Sequence, residues 1–242
     1  MDAPPGAWSA KIGYRLKRHR LRLVPRFMPL SASQIERYSR QIIVPRVGGR
    51  AQERLLGARL VIAGDARDVE PALLYLVGSG VGHIELALGQ DAHSAGELAS
   101  ATTELNPDVT VTALSDPPGS FSQLVLAIIG SPASLATVGA LVAQFPRTGW
   151  VAARTDSPAR IAVLPSPSGC PRCADGGLLL PFGARAVNAS IFVMAATAEA
   201  FKLLAGYGEQ PGATLIEFDG YESRSSAIAW DPACECRKRG TW

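Results

Sequence analysis

The stretch LVIAGDARDVEPALLYLVGSGVGHIELAL, Leu60 to Leu88, constrains the fold more than any other part of the chain. Leu60 to Ala63 is a short apolar run with the character of a buried strand. Gly64 opens a turn, Pro71 to Val77 has helical spacing, and GSGVG turns the chain into a second strand, Gly82 to Leu88. A strand–turn–helix–strand unit of this kind belongs to folds that hold a phosphate at a helix N-terminus. The usual turn carries G-x-G-x-x-G, whose later glycines let the backbone approach the phosphates. This chain has Gly64 in the first place but Ala66 and Val69 in the other two. The shape is kept while the chemistry of the turn is changed.

The rest of the chain extends the pattern. SASQIERYSRQ reads as a short helix beginning near Ser33, with Glu36 at capping-box spacing, and RAQERLLGA as a second that ends at Gly57. The latter half of the segment before Pro107 has helical character. VTVTAL and FSQLVLAIIG read as strands, SPASLATVGALVAQF as a helix, and GWVAARTD with ARIAVLPS as a strand pair. The long apolar stretch NASIFVMAATAEAFKLLAG is a helix, and ATLIEFDGYESRSSAIAW a terminal hairpin. Alternating strands and helices predict a doubly wound, mainly parallel α/β sheet of Rossmann-like type with an antiparallel C-terminal part.

Charge divides the chain unevenly. Residues 1–27 hold Lys11, Arg15, Lys17, Arg18, Arg20, Arg22 and Arg26 against Asp2 alone, a net +6. The whole chain carries +3, so the remainder sums to −3. Residues 1–30 are therefore expected to be a basic, disordered extension, with Met28 as an alternative start, and residues 31–242 a single domain. A nucleic-acid or acidic-surface contact, or an Arg-rich targeting segment, is the rival for the tail. The basic pI belongs to the tail and says little about the body's partners, and nucleic acid is not expected among them. The most apolar long stretch, Ala186 to Ala205, contains Asn188, Glu199 and Lys202. It reads as a buried helix rather than a membrane span, and a cytoplasmic protein is expected.

The four cysteines form two close pairs, Cys170-x-x-Cys173 and Cys234-x-Cys236. Paired thiols separated by a long loop, with no secretion signal, suggest a tetrahedral structural zinc site over a disulfide framework. His19, His83 and His93 are scattered without a nucleophilic partner in motif spacing, and none is assigned a catalytic role.

Six stretches now stand in a fixed order: RYSRQI (Arg37 to Ile42), ALLYLVGSGVGHIEL (Ala72 to Leu86), LNPDVTV (Leu105 to Val111), CPRC (Cys170 to Cys173), AEAFKLLAGYGE (Ala198 to Glu209) and DPACEC (Asp231 to Cys236). Together they resemble the ThiF/MoeB/HesA family, prokaryotic relatives of ubiquitin-activating enzymes, from about Ser31 to Cys236. The resemblance implies a dimeric doubly wound domain with a zinc held by Cys170, Cys173, Cys234 and Cys236. It also implies binding of ATP and Mg²⁺ and adenylation of the C-terminal glycine of a small ubiquitin-like or sulfur-carrier protein.

The catalytic elements depart from that pattern. Where the family has G-x-G-G-L-G this chain has GDARDV, keeping Gly64 alone and gathering Asp65, Asp68 and Glu70 at a helix N-terminus. Carboxylates there suit the helix by ~0.3–1 kcal/mol and oppose a triphosphate. The ribose-binding acid at the end of the second strand is replaced by Leu88 and Gly89, with Asp91 too late. Only 17 residues separate Leu88 from Asn106, and none is Lys or Arg; the family's basic clamp is missing. After the strand LVLAII the family's Mg²⁺-binding Asp has no counterpart among Ala127, Gly130 and Ser131. The mobile loop that follows CxxC in the family is shortened to CPRCADGGLLLPFG. In that setting Cys173 can be read as a zinc ligand or as the family's thioester or persulfide nucleophile.

Arg40 matches the Arg that in this family reaches across the dimer to the partner's ATP; the plain alternative is a surface ion-pairing residue at i+3 from Arg37 on one short helix. The reading that follows is a non-catalytic binding or partner subunit with zinc and without ATP or Mg²⁺. It would work as a homodimer, or as a heterodimer with an active ThiF/MoeB-like homologue, on a small carrier protein or peptide. An adenylyltransferase with a rebuilt site and a sulfur-handling protein using Cys173 are the rivals.

Overall fold

The computed structural model describes residues 29–89, 92–114, 122–145, 148–166, 171–172, 181–186, 188–208, 212–219 and 222–228. Helices α1 (Ala32–Arg37), α2 (Ser39–Ile42) and α3 (Gly48–Leu56) precede β1 (Arg59–Ala63), α4 (Ala66–Ser79) and β2 (His83–Ala87). Then come α5 (Ala92–Thr103), β3 (Thr110–Ala113), β4 (Leu124–Ile129), α6 (Pro132–Gln144), β5 (Gly149–Arg154) and β6 (Ala159–Leu164). Helix α7 (Ala189–Ala205) and the hairpin β7 (Thr214–Asp219) and β8 (Glu222–Ala227) complete the described part.

The eight strands form one sheet in the order β3-β2-β1-β4-β5-β6-β7-β8. Pairings from β3 to β5 are parallel, and those from β5 to β8 antiparallel. The expected fold class is therefore observed. Strand β1 shows how apolar runs encode a sheet covered on both faces. Leu60 and Ile62 enter one core with Leu73, Leu76 and Val193 from α4 and α7. Val61 and Ala63 enter a second core with Val138, Leu141 and Phe145 from α6 and its end. Chain order reverses between β1 and β4, so the crevice at their C-terminal ends is the topological switch point where such sheets bind ligands.

Two helix starts differ from expectation. Helix α1 is capped by Ser31, whose side chain accepts from the Gln34 N–H while the Gln34 side chain accepts from the Ser31 N–H. The box lies two residues ahead of the Ser33–Glu36 pair because Gln34, like Glu, can close it. Helix α4 starts at Ala66 instead of Pro71, with Asp65 as N-cap and Pro71 inside it. The main-chain oxygen of Asp65 accepts from the N–H groups of Asp68 and Val69 at 2.9 and 3.0 Å and starts the helix ahead of the proline.

The N-terminal helices are pinned by the very motifs that carry the resemblance. Tyr38 is 1% exposed and separates α1 from α2. Its hydroxyl donates to Asp108 Oδ2 at 3.1 Å, and Asn106 Nδ2 donates to it at 2.9 Å. Asn106 also donates to Val77 O at 2.7 Å. Gly80 has φ +82° and turns under the Tyr38 ring, where an added Cβ would lie 2.7 Å from Cζ. Gly82 passes so close to α3 that a Cβ would lie 1.9 Å from Leu56 O. RYSRQ, GSGVG and LNPD therefore meet as one structural joint.

Candidate functional site: the switch point between β1 and β4

Gly64 ends β1, and a Cβ on it would lie 2.7 Å from Ile128 O. The close approach of β1 to β4 accounts for this glycine without a ligand. The acids that follow do not act as simple helix caps. Asp65 occupies the N-cap position, yet its side chain makes no capping bond. Instead its Oδ1 accepts from Ser131 Oγ at 2.9 Å, across the crevice at the end of β4. Ser131 also caps α6 with Ser134, so the two helix N-termini flanking the switch point are tied together.

Asp68 lies one turn into α4 and is 5% exposed. Its carboxylate accepts from both ends of the Arg185 guanidinium, Nη1 to Oδ2 at 2.7 Å and Nη2 to Oδ1 at 2.6 Å. Such bidentate, charge-assisted pairs are the strong class of hydrogen bond. Arg67 Nε stands 3.7 Å from Oδ1 on the exposed side. The Asp68 hydrogen bonds hold Arg185 more firmly protonated than a free arginine, against the opposing effect of burial. Gly130 marks how full the crevice is, because a Cβ there would meet Asp68 Oδ2 and Arg185 Nη1 at 2.1 and 2.8 Å. Asp65 and Asp68 therefore close the crevice through Ser131 and Arg185; they do not consume the helix N–H groups as the sequence suggests.

Arg185 reaches this place on a strap, residues 181–186, laid across the ends of β5 and β6. Ser157 N donates to Ala184 O at 2.9 Å and Ala186 N to Thr155 O at 2.7 Å. Gly183 N donates to Asp156 Oδ2 at 2.8 Å. Burial alone would push the Asp156 carboxyl upward, but the hydrogen bonds from Arg154 and Gly183 outweigh it and hold the pKa below the ordinary value. Arg154, 4% exposed, pairs with Asp156, donates to Pro181 O at 3.1 Å and lies over the Phe182 ring. The strap is anchored from both sides. Sequence reasoning missed Arg185 because it lies 117 residues from Asp68; the signal was one Arg in a stretch, LLLPFGARAV, that is otherwise uncharged.

The other candidates divide clearly. Leu88 is buried and Gly89 is exposed with φ +66°, with no acid at the end of β2 among the described residues. The family-like gap after Leu88 is filled by α5. Arg37 and Arg40 do not share a helix as expected, because buried Tyr38 interrupts it. Arg37 Nε pairs with Asp108 at 3.2 Å; Arg40 is exposed on α2 and makes no ion pair among the described residues. His83 is exposed, and His93 sits 3.0 Å from Glu97. Cys170, Cys173, Cys234 and Cys236 lie outside the described residues, as do the basic extension and Asp91. Among the described residues no group of three or more His, Cys, Asp or Glu is arranged to hold a metal ion. None of their helices is long and apolar enough to cross a membrane.

Comparison with known proteins agrees with this architecture. No family model matches the chain. The adenylyltransferase and sulfurtransferase uba4 of Emericella nidulans is 30% identical over 247 residues, covering 81% of this chain and 50% of that protein. Its namesake in Yarrowia lipolytica is 26% identical over 235 residues, covering 80% of this chain and 58% of the relative. The chain thus spans little more than half the length of these relatives. Among solved structures, E. coli MccB with ATP superposes with a TM-score of 0.64 at 14% identity, covering 85% of this chain and 75% of that one. The chain has the ThiF/MoeB-like fold of the E1-like adenylyltransferases, with an ion pair of its own side chains at the switch point.

Proposed function

We propose that this chain is a non-catalytic E1-like subunit that binds a partner in a sulfur-carrier, ubiquitin-like or peptide-modification pathway. The observation that carries this reading is the Asp68–Arg185 pair in the crevice between β1 and β4. A polyphosphate entering there must displace a bidentate ion pair and then face Asp65 and Asp68. Adenylation rests on cations that stabilise charge on the phosphates. Here Arg185 is already paired with a buried carboxylate, and Arg67 lies 3.7 Å from the same group. Pyrophosphate exchange with ATP and any carrier protein or acceptor peptide is expected to stay at background. Robust exchange would establish the rival, an adenylyltransferase with a rebuilt site.

Exposed Arg40 is the residue by which such a subunit would serve another active site. In a heterodimer with an intact homologue, its guanidinium would reach the partner's nucleotide, and Arg40→Ala would remove the stimulation while leaving assembly intact. The face for that partner, or for a second copy, is formed by Leu74 and Tyr75 on α4 and Ile191 and Met194 on α7. All four are at least 36% exposed. One structural zinc on Cys170, Cys173, Cys234 and Cys236 completes the proposal. Metal analysis of freshly purified protein should find one equivalent, and alkylation should leave the four thiols unlabelled while zinc is bound. Labelling of Cys173 alone would instead support sulfur handling.

A further inference from the structure

A cavity of about 260 Å³ opens beside the strap. Its walls include Arg185 on the strap, Ser157, Asn188 and Phe192 at the start of α7, and Phe218 on β7. The two rings form a tilted pair with centroids 4.9 Å apart. The lining therefore combines an aromatic pair with hydrogen-bonding residues.

Arg185 presents a second edge here. Among the described residues, Nη1 donates to Asp68 and Gly130 O, and Nη2 donates once to Asp68. A guanidinium has five N–H donors, so Nε–H and one Nη2–H are left. Arg185 is one-third exposed while Asp68 is almost wholly buried, which puts the free edge toward solvent. Arg67 lies 3.7 Å from the same carboxylate and Asp65 also acts on Arg185, so two arginines balance two acids here. It is the unused N–H groups of Arg185 that the cavity offers to a carboxylate. The Asn188 side chain makes no capping bond to α7. It is a further polar residue of the cavity lining.

We propose that this cavity binds a monocarboxylate bearing one aromatic or large aliphatic group, its carboxylate on Arg185 and its apolar part on Phe192 and Phe218. The volume falls just below the ~300–1,000 Å³ of pockets for drug-sized ligands. It suits one amino-acid residue. Either a free acid or the last residue of a peptide has this chemistry. The cavity shares Arg185 with the β1–β4 crevice, but its test compares acid with amide and not nucleotide, so its failure and that of the non-catalytic reading are distinguishable.

Calorimetric titration of the full chain tests it with N-acetyl-L-phenylalanine, its C-terminal amide, acetate and the tripeptide N-acetyl-Gly-Gly-Phe. The acid should bind saturably, and the amide and acetate about tenfold more weakly, each lacking one half of the recognition. Tripeptide binding at least as tight as that of the single residue assigns the site to a chain terminus; preference for the single residue assigns it to a free acid. Arg185→Gln would strand Asp68, so it is made together with Asp68→Asn, which keeps a neutral hydrogen-bonding pair. That double variant should lose about tenfold in affinity for the acid and no affinity for the amide. Phe218→Ala, remote from the ion pair, should weaken acid and amide alike. Equal binding of acid and amide by wild type, wild-type affinity in the double variant, or no heat from any probe up to ~10 mM would overturn the proposal.

Discussion

Two polar joints hold this sheet's loops in place, and their chemistry is opposite. At one, the neutral side chains of Tyr38 and Asn106 meet half-buried Asp108, itself paired with Arg37 at the surface, in a scaffold that fixes α1 and α2. At the other, Asp68 and Arg185 put a full ion pair where a sheet of this topology receives its ligand. The first joint is made of family-like motifs and the second of departures from them. The framework joint and the crevice are therefore built from different parts of the sequence, and side chains of the chain itself occupy the crevice.

The comparison can be broken most forcefully at the first joint. Gly82→Ala drives a Cβ into the Leu56 carbonyl, a backbone group that cannot turn aside. The expected cost is about 3 kcal/mol or more, measured by urea denaturation. A loss under about 1 kcal/mol would show that α3 and β2 can separate freely.

The second joint should respond asymmetrically. Arg185→Ala leaves a carboxylate that is 4% exposed without its partner, whereas Asp68→Ala leaves a guanidinium that is 32% exposed and can reach water. Breaking a buried pair costs 3–5 kcal/mol, and an exposed one far less. We expect about 3 kcal/mol for Arg185→Ala and about 1 kcal/mol for Asp68→Ala. Equal losses would mean that the strap, not the charge, holds this end.

Tyr38 sharpens the contrast through pH. Burial, reinforced by the charge of Asp108, raises its pKa from 10.0 to about 12. The folded state then holds this proton more tightly than the unfolded chain. Its contribution is complete below pH 10 and is lost as pH rises toward 12, about 2–3 kcal/mol in all. Tyr38→Phe should cost about 1 kcal/mol at neutral pH and flatten stability between pH 10 and 12. A wild-type slope in the variant would assign the alkaline transition to another group. Smallest of all, Arg40→Ala should change stability by less than about 0.5 kcal/mol, because its surroundings are solvent.

How much of this was legible in the sequence follows from the range of each interaction. The strands and the parallel-to-antiparallel change were readable because apolar runs and their spacing are local signals, and β1, β4 and β5 are buried along nearly all their length. The order of the strands in the sheet was not. The start of α4 was misread because Pro71 looks like a first-turn proline, while the main-chain bonds from Asp65 that begin the helix leave no mark beyond an ordinary cap residue. The loss of the glycine cradle was legible in GDARDV. What replaces it was not, since Arg185 arrives from a strap whose anchors, Thr155, Asp156 and Ser157, are themselves distant in sequence. Composition showed that acids had gathered at the turn but could not show that an arginine answers them.

We propose that the Asp68–Arg185 pair closes the switch point to nucleotide. Calorimetric titration of the purified full chain with MgATP tests it most directly, with Asp68→Asn/Arg185→Gln measured alongside. No saturable heat is expected from wild type up to ~1 mM ATP, and none from the double variant, whose crevice still lacks a cation for the phosphates. Saturable binding by wild type below that concentration, lost in the double variant, would contradict the claim and make Arg185 a nucleotide ligand instead of a plug.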